Sequence, residues 1–292
     1  MKAFILAAGK GERLLPYTKF LPKPLFPIVG TPILEIHLKK FLNLGINNIG
    51  INVYHLKEKI LEFLNKFSQK SRINITVFEE EKLLGTGGGI FNAKQFFTTT
   101  TLIVNADIMH DFPLEFLIEY HQRNKGLATM VCIPHFLKNV KVDLLTNTII
   151  SFRSKDSNFF YTGIQIIEPE LFEMIPPKSD LIDSYIEGLA KGLKISALVV
   201  KDYNFIDIGT LPNYLLVHEM VLLKKIKIEG LNELESPFII KTKNSGSKRI
   251  VCKDWVYIDE DCKFLGNATL SKVIAWKGAT IPEGIHEGKL FI

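Results

Sequence analysis

The sequence predicts an α/β protein: a doubly wound, mostly parallel sheet followed by a short β-rich extension. Three observations point there. Short apolar runs alternate with segments of helical periodicity over the first 110 residues. Glycine-rich turns stand directly after strand-like runs, at Gly9–Gly11 and again over Gly85-Thr86-Gly87-Gly88-Gly89. Beyond about residue 226 the helical pattern stops and short apolar runs separated by Gly, Lys and Asn take over.

The elements follow in order. Ala3–Leu6 is a buried first strand. Residues Ile33–Leu44 carry apolar side chains near helical spacing and stop at Gly45, a natural helix terminator. Asn48–Tyr54 is the second strand and His55–Phe67 an amphipathic helix with Leu56, Ile60, Leu61, Leu64 and Phe67 on one side. A strand over Ile73–Phe78, a helix over Gly88–Phe96 and a strand over Thr101–Asn105 complete the first half. This rhythm implies parallel strands with right-handed crossovers. In such a sheet ligands sit beyond the carboxyl ends of the strands. The loop after strand one and Asp107 after strand four therefore share an edge.

A helix over Pro113–Asn124, a strand over Ala128–Ile133 and a β-ribbon over 139–160 come next. Thr162–Ile167 is strand-like, Pro169–Met174 a short helix, Ile182–Lys191 a helix, Ile195–Val200 a strand and Leu211–Lys225 a helix. From 226 to 292, Ile258, Phe264 and Leu270 recur every six residues. That spacing is the sign of a left-handed parallel β-helix of two or three coils. The expected division is 1–225 and 226–292. An open terminal coil invites covering by another surface, so self-association is expected there.

A chain of 292 residues with 47% hydrophobic and 23% charged residues has the balance of a globular protein rather than a disordered one. The net charge of +5 is mild, and no dense Lys/Arg tract with interleaved aromatics suggests nucleic-acid binding. No apolar stretch approaches a membrane span, and the N-terminus runs straight into strand-like sequence without a leader pattern. Cys132, Cys252 and Cys262 are odd in number and fit no zinc spacing. Reduced thiols and a cytoplasmic location are expected.

The densest chemical signal is residues 6–30. Leu6, Ala7, Ala8, Gly9 and Gly11 let the backbone approach a ligand closely. Arg13 offers a forked cation suited to phosphate oxygens, and Lys23 stands between Pro22 and Pro24, which hold its backbone extended. Together they suggest a triphosphate cradle. A dinucleotide fingerprint fails because Leu14 occupies its third glycine, and no Gly-Lys-Ser/Thr closes a Walker loop.

A second glycine loop, Gly85, Gly87 and Gly88 among it, opens a helix whose N–H groups could read a base edge or an anion. The Glu80 carboxylate before it would accept from guanine N1–H and N2 or from uracil N3–H. Asp107 ends a buried strand, where a carboxylate suits a hard cation. Asp207, in Phe-Ile-Asp-Ile-Gly-Thr, is open to two readings, a cation ligand or a helix cap. Asp111 reads as a turn residue.

The run Leu-Ala-Ala-Gly-Lys-Gly-Glu-Arg-Leu, continued by Pro16, Thr18, Pro22-Lys23-Pro24-Leu25 and Gly30-Thr31-Pro32, resembles the signature of the sugar-phosphate nucleotidylyltransferases. The resemblance extends over residues 1 to about 225. It implies a Rossmann-like nucleotidyltransferase fold that joins an NTP and a sugar 1-phosphate, releasing pyrophosphate. It also implies one or two Mg²⁺ ions on Asp107 and Asp207, and catalytic roles for Arg13 and Lys23. Residues 80–90 would cradle the base, and Thr162 and Gly163 would line the sugar-phosphate site. Many relatives carry a Glu-Lys-Pro before that strand, where this chain has Ser151-Phe152-Arg153-Ser154-Lys155-Asp156. The Asn52–His55 strand end and the Thr86–Ile90 loop resemble the subgroup that activates N-acetylmuramate 1-phosphate with UTP. Mannose and heptose 1-phosphate guanylyltransferases are nearly as similar. UTP or GTP is the expected nucleotide. The alternative from another class is a regulatory subunit that binds nucleotide sugars without turnover.

Overall fold

The computed structural model describes residues 1–232, 234–243, 246 and 248–292. They form two compact units: Met1–Lys10 with His37–Phe205, and Gly11–Ile36 with Ile206–Ile292.

The first unit is built on one nine-stranded sheet. Its strands are β1 (Lys2–Leu6), β2 (Asn48–Val53), β3 (Asn74–Glu79), β4 (Thr101–Asn105), β5 (Ala128–Ile133), β6 (Val140–Asp143), β7 (Thr148–Phe152), β8 (Phe160–Ile167) and β9 (Ile195–Val199). The spatial order is β3-β2-β1-β4-β8-β5-β9-β7-β6. The first four strands are parallel and in tight register, with Leu6 opposite both Asn52 and Asn105. Their carboxyl ends therefore lie on one edge, as the topology predicts. Ala3, Phe4, Ile5, Ile49, Ile51, Ile103 and Val104 have no exposed surface. That is the continuous apolar character of strands covered on both faces.

Two strands run against the rest. β8 enters between β4 and β5 and is antiparallel to both, and β7 is antiparallel to β9 and β6. An apolar run has no direction in sequence, so the reversal was not legible. The β8–β5 register shifts between Tyr161 and Gln165, around Gly163 at φ 84°. This is a bulge, and only glycine adopts that angle without strain.

The helices are α1 (Ile33–Asn43), α2 (Lys57–Ser68), α3 (Gly85–Asn92), α4 (Leu114–Asn124), α5 (Leu171–Met174), α6 (Leu181–Ala190) and α7 (Leu211–Leu222). α3 starts three residues before its expected start at Gly88, so the second glycine cluster lies inside the helix.

The second unit holds three short 3₁₀ turns (Glu12–Leu14, Tyr17–Lys19 and Lys23–Leu25), α7 and the tail strands. The main tail strands are β10 (Phe238–Ile240), β11 (Ile250–Ile258), β12 (Lys263–Phe264), β13 (Ala268–Ala275), β14 (Thr280–Ile281), β15 (Gly284–Glu287) and β16 (Leu290–Phe291). All their pairings are parallel. Paired residues lie 18 apart (Ile250 with Ala268), 17 apart (Lys263 with Thr280) or 16 apart (Ala268 with Gly284). Such spacing is close to three six-residue runs per coil, the arrangement of a β-helix. Ile258, Phe264 and Leu270 are all buried in its core, as their spacing anticipated.

The compact units do not follow the expected boundary at 225. Residues 11–36 belong with 206–292 because Phe26 packs its ring on Tyr214 and Trp276, at centroid distances of 5.6 and 4.8 Å. Among the described residues, no helix is long and apolar enough to cross a membrane.

Candidate active-site residues

In the first unit, the loop after β1 is held from behind. The Leu6 carbonyl accepts from Ala106 N–H at 3.0 Å. The Ala7 N–H donates to Asn52 Oδ1 at 2.8 Å. Asn52 is 2% exposed and passes its own Nδ2 to Glu80 Oε1, also at 2.8 Å. Glu80 Oε2 accepts the Leu84 N–H at 2.9 Å. One buried amide thus ties the β1 loop to the Glu80–Leu84 segment.

That geometry corrects the direct role expected for Glu80. Its carboxylate is buried, and both oxygens take bonds from the protein. It braces the loop instead of presenting a free acceptor. Two residues absent from the expected site complete this brace, Asn52 and Gly89. A Cβ at Gly89 would overlap Asn52 Nδ2 and lie 2.9 Å from Glu80 Oε1. The signal for Asn52 was present as a polar residue inside the apolar run Ile-Gly-Ile-Asn-Val.

The N–H groups of Gly87 and Gly88 are likewise committed. Both donate to the Ser179 carbonyl, at 2.9 and 3.3 Å. Thr86 Oγ1 accepts from Leu181 N–H at the start of α6. Cβ atoms at Gly85 or Gly87 would overlap the backbone carbonyls of Ser179 or Lys178. These glycines therefore allow the 178–181 segment to press on the loop. This corrects the expectation that the Gly87 and Gly88 amides read a base or anion.

Thr162 is corrected on the same ground. Its side chain is 2% exposed, and its hydroxyl donates to the Val131 carbonyl at 3.0 Å. Gly163 forms the bulge and leaves room for Asn105, whose side chain a Cβ would meet. Gly9 is different. It is exposed, and a Cβ there would meet nothing within 4 Å. Its backbone is open to a ligand, as close approach requires. Asp107 follows β4 half-buried. Asp111 is an anchor: its two oxygens accept Asn204 N–H and Nδ2 at 2.7 Å each.

In the second unit, Gly11 has φ 66°, and the buried Thr18 hydroxyl donates to its carbonyl at 3.1 Å. The turn that follows carries Arg13. Its Nη2 donates to Asp207 Oδ2 at 3.2 Å, and Asp207 Oδ1 accepts Gly209 N–H at 2.7 Å. A Cβ at Gly209 would overlap the Arg13 guanidinium and lie 2.8 Å from Asp207 Oδ1. Gly209, also absent from the expected site, is what lets the pair form. The helix-cap reading of Asp207 fails, because Thr210 caps α7 by accepting from Asn213 N–H. Lys23 opens a 3₁₀ turn and is not extended as its flanking prolines suggested. Pro24 is tolerated inside that turn because its missing N–H needs no partner there.

The donor chemistry suits magnesium. Mg²⁺ is commonly held by one or two carboxylates plus substrate phosphates, without a full protein cage. Asp107 in the first unit and Asp207 in the second are each a carboxylate of this kind. Each Asp207 oxygen accepts one bond from Arg13 or Gly209 and keeps further lone pairs. Among the described residues no group of three or more His, Cys, Asp or Glu converges.

Comparison with known proteins identifies the family. The family described as nucleotidyl transferase matches residues 2–223. The chain is 31% identical over 255 residues to a UTP–glucose-1-phosphate uridylyltransferase of Synechocystis sp., covering 78% of this chain and 65% of that protein. It is 32% identical over 254 residues to the bifunctional protein GlmU of Methanocaldococcus jannaschii, covering 82% and 59%. A probable mannose-1-phosphate guanylyltransferase 2 of Oryza sativa is 27% identical over 228 residues, covering 74% and 63%. The matched part thus spans about three-fifths of the length of these relatives. A solved UDP-glucose pyrophosphorylase complexed with UDP-glucose shares the fold at a TM-score of 0.65 and 20% identity, over 76% of this chain and 98% of that one.

Proposed function

Since the chain belongs to the nucleotidyl transferase family, we propose that it joins an NTP, UTP or GTP by preference, to a sugar 1-phosphate. The products are an NDP-sugar and pyrophosphate. The observation that carries this reading is the signature loop itself. It has an open Gly9 backbone, a left-handed Gly11, Arg13 held by Asp207, and Lys23 opening a later 3₁₀ turn. Relatives named for UTP and for guanylyl transfer support the two nucleotides.

An oxygen of the sugar phosphate attacks the α-phosphorus of the NTP. The bond from that phosphorus to the bridging oxygen breaks, and pyrophosphate leaves with the electron pair. The attacking oxygen is already an anion, so no base has to remove a proton. The chain's task is to position and to neutralise charge. Arg13 takes the leaving pyrophosphate. Its pair with Asp207 is exposed, at 63% and 41% of the two side chains, so exchanging that partner for phosphate costs roughly 0–1 kcal/mol. Lys23 meets the α-phosphate as its charge grows. The β1 loop and the braced 85–89 segment seat the nucleotide, and the Gly163 bulge borders the sugar phosphate. Asp107 and Asp207 are the candidate carboxylates for magnesium, which would neutralise the phosphates. The family match ending at 223 supports a catalytic portion to about residue 225. The six-residue spacing supports left-handed coils beyond it.

The test is pyrophosphate release from a matrix of NTPs and sugar 1-phosphates. Turnover with a uridine or guanosine triphosphate and at least one sugar 1-phosphate is expected. Nucleotide-sugar binding without turnover of any pair would overturn the proposal in favour of a regulatory binder.

A further inference from the structure

Among its described residues the tail holds no carboxylate–cation set resembling the signature, yet it grips the loop that carries Lys23. Trp276 lies just after β13 and is 8% exposed. Its indole N–H donates to the Tyr214 hydroxyl at 2.9 Å, and that hydroxyl donates onward to the Pro27 carbonyl. The Trp276 and Phe26 rings lie edge to face, with centroids 4.8 Å apart and planes at 73°. Phe26 and Tyr214 have no exposed surface. The Phe26 N–H closes the turn on the Lys23 carbonyl at 3.0 Å, and the Leu25 N–H closes it on Pro22 at 2.8 Å.

The rest of the loop is held the same way. His218, one turn beyond Tyr214, accepts the Val29 N–H on Nε2 at 3.2 Å and donates Nδ1–H to the Tyr214 carbonyl at 2.9 Å. The Tyr257 hydroxyl and Lys241 ammonium fill the space that a Cβ at Gly30 would need. Phe26, Pro27 and Val29 are therefore held by α7 and the tail, and Tyr257 and Lys241 crowd Gly30. Lys23 is the last cation before the fastened stretch.

We propose that Trp276, acting through Tyr214, Phe26 and Pro27, is a positioning residue for Lys23. The tail then sets the rate of nucleotidyl transfer without contributing a catalytic group. Two features single out Trp276 within this cluster. It supplies both the ring against Phe26 and the N–H that orients the Tyr214 hydroxyl. Among the described residues, Trp276 is also a member of the tail seated directly on the segment next to Lys23. A lysine ammonium on a flexible stem gains most in the transition state when its backbone is fixed beforehand. This inference rests on the proposed transferase function, so its test includes a readout independent of turnover.

The experiment compares the full-length wild type with Trp276→Leu, Trp276→Phe and Tyr214→Phe. Hydrogen exchange of the 20–29 segment is followed against the β4 amides as an internal control. Trp276→Leu should exchange tenfold or more faster over 20–29 at unchanged β4 rates, and Trp276→Phe should be intermediate. In turnover, Trp276→Leu should lose at least tenfold in kcat with the NTP KM within threefold. Combined with Lys23→Ala, it should cost no more than Lys23→Ala alone, because both act through one group. Wild-type exchange rates over 20–29, or kcat losses that multiply in the double variant, would overturn the inference. If Trp276→Leu does not fold, Tyr214→Phe decides the matter, since it removes one hydroxyl and keeps the ring. Faster exchange over 20–29 in Trp276→Leu, with a wild type that turns over nothing, would refute the transferase reading and leave the fastening of the loop standing.

Discussion

Asn52→Ala removes two hydrogen bonds from the interior of the first unit. Asn52 Oδ1 would no longer accept the Ala7 N–H, and Nδ2 would no longer donate to Glu80. Asn52 and Glu80 are 2% and 3% exposed, so water does not readily replace either bond. A buried amide left without its partner costs about 1–3 kcal/mol, and a bond to a carboxylate is worth about 1.5–3 kcal/mol. The sum is about 2.5–6 kcal/mol, which lowers the melting temperature by roughly 5–25 °C for a domain of this size. Urea unfolding at pH 7 measures the free energy. Hydrogen exchange at Leu84, whose N–H donates to Glu80 at 2.9 Å, reports the braced segment locally. The double variant Asn52→Ala/Glu80→Ala should lose clearly less than the sum of the singles, because the same bond is counted in both. The NTP KM should rise while kcat changes less, since the brace supports binding of the nucleotide. A loss below about 1 kcal/mol for Asn52→Ala, or strict additivity in the double variant, would refute the reasoning.

Asp107→Asn and Asp207→Asn should each lower kcat by orders of magnitude and leave the fold intact by circular dichroism; wild-type turnover in either variant, or in EDTA, would remove the metal assignment. Gly209→Ala places a methyl group on the Arg13 guanidinium, so pyrophosphate-releasing activity should fall tenfold or more with little change in melting temperature. Burial lowers the His218 pKa to about 4 and that of His37 to about 3. The unfolded chain therefore binds more protons than the folded one between pH 6.5 and those values. Stability should be complete above pH 6.5 and fall as pH drops, by up to about 1.4 kcal/mol per pH unit for each ring. Urea midpoints from pH 7 to 4 test this, and His218→Gln should flatten the slope.

The strands, most helices and the shared edge of the parallel strands were legible because they rest on relations between near neighbours. The pattern of Ile49, Ile51 and Val53 makes a strand whatever lies beside it. Gly9, Gly11, Arg13, Lys23 and Asp107 stood out because turn chemistry and phosphate chemistry are written in short runs. The spacing of Ile258, Phe264 and Leu270 likewise foretold a buried tail core. Other features depend on partners that sequence spacing does not specify. Glu80 offers the same carboxylate whether it faces a base or Asn52, and only packing turned it inward. Thr162 could have offered its hydroxyl to a ligand, but the β8 bulge points it at Val131. Arg13 finds Asp207 across 194 residues, and that pair exists only because Gly209 leaves room for it. The direction of β8 and the seat of Trp276 on Phe26 are long-range choices of the same kind. Periodicity determines which face of an element is buried, whereas the fold determines what meets that face, because contact energies depend on distance in space and not along the chain.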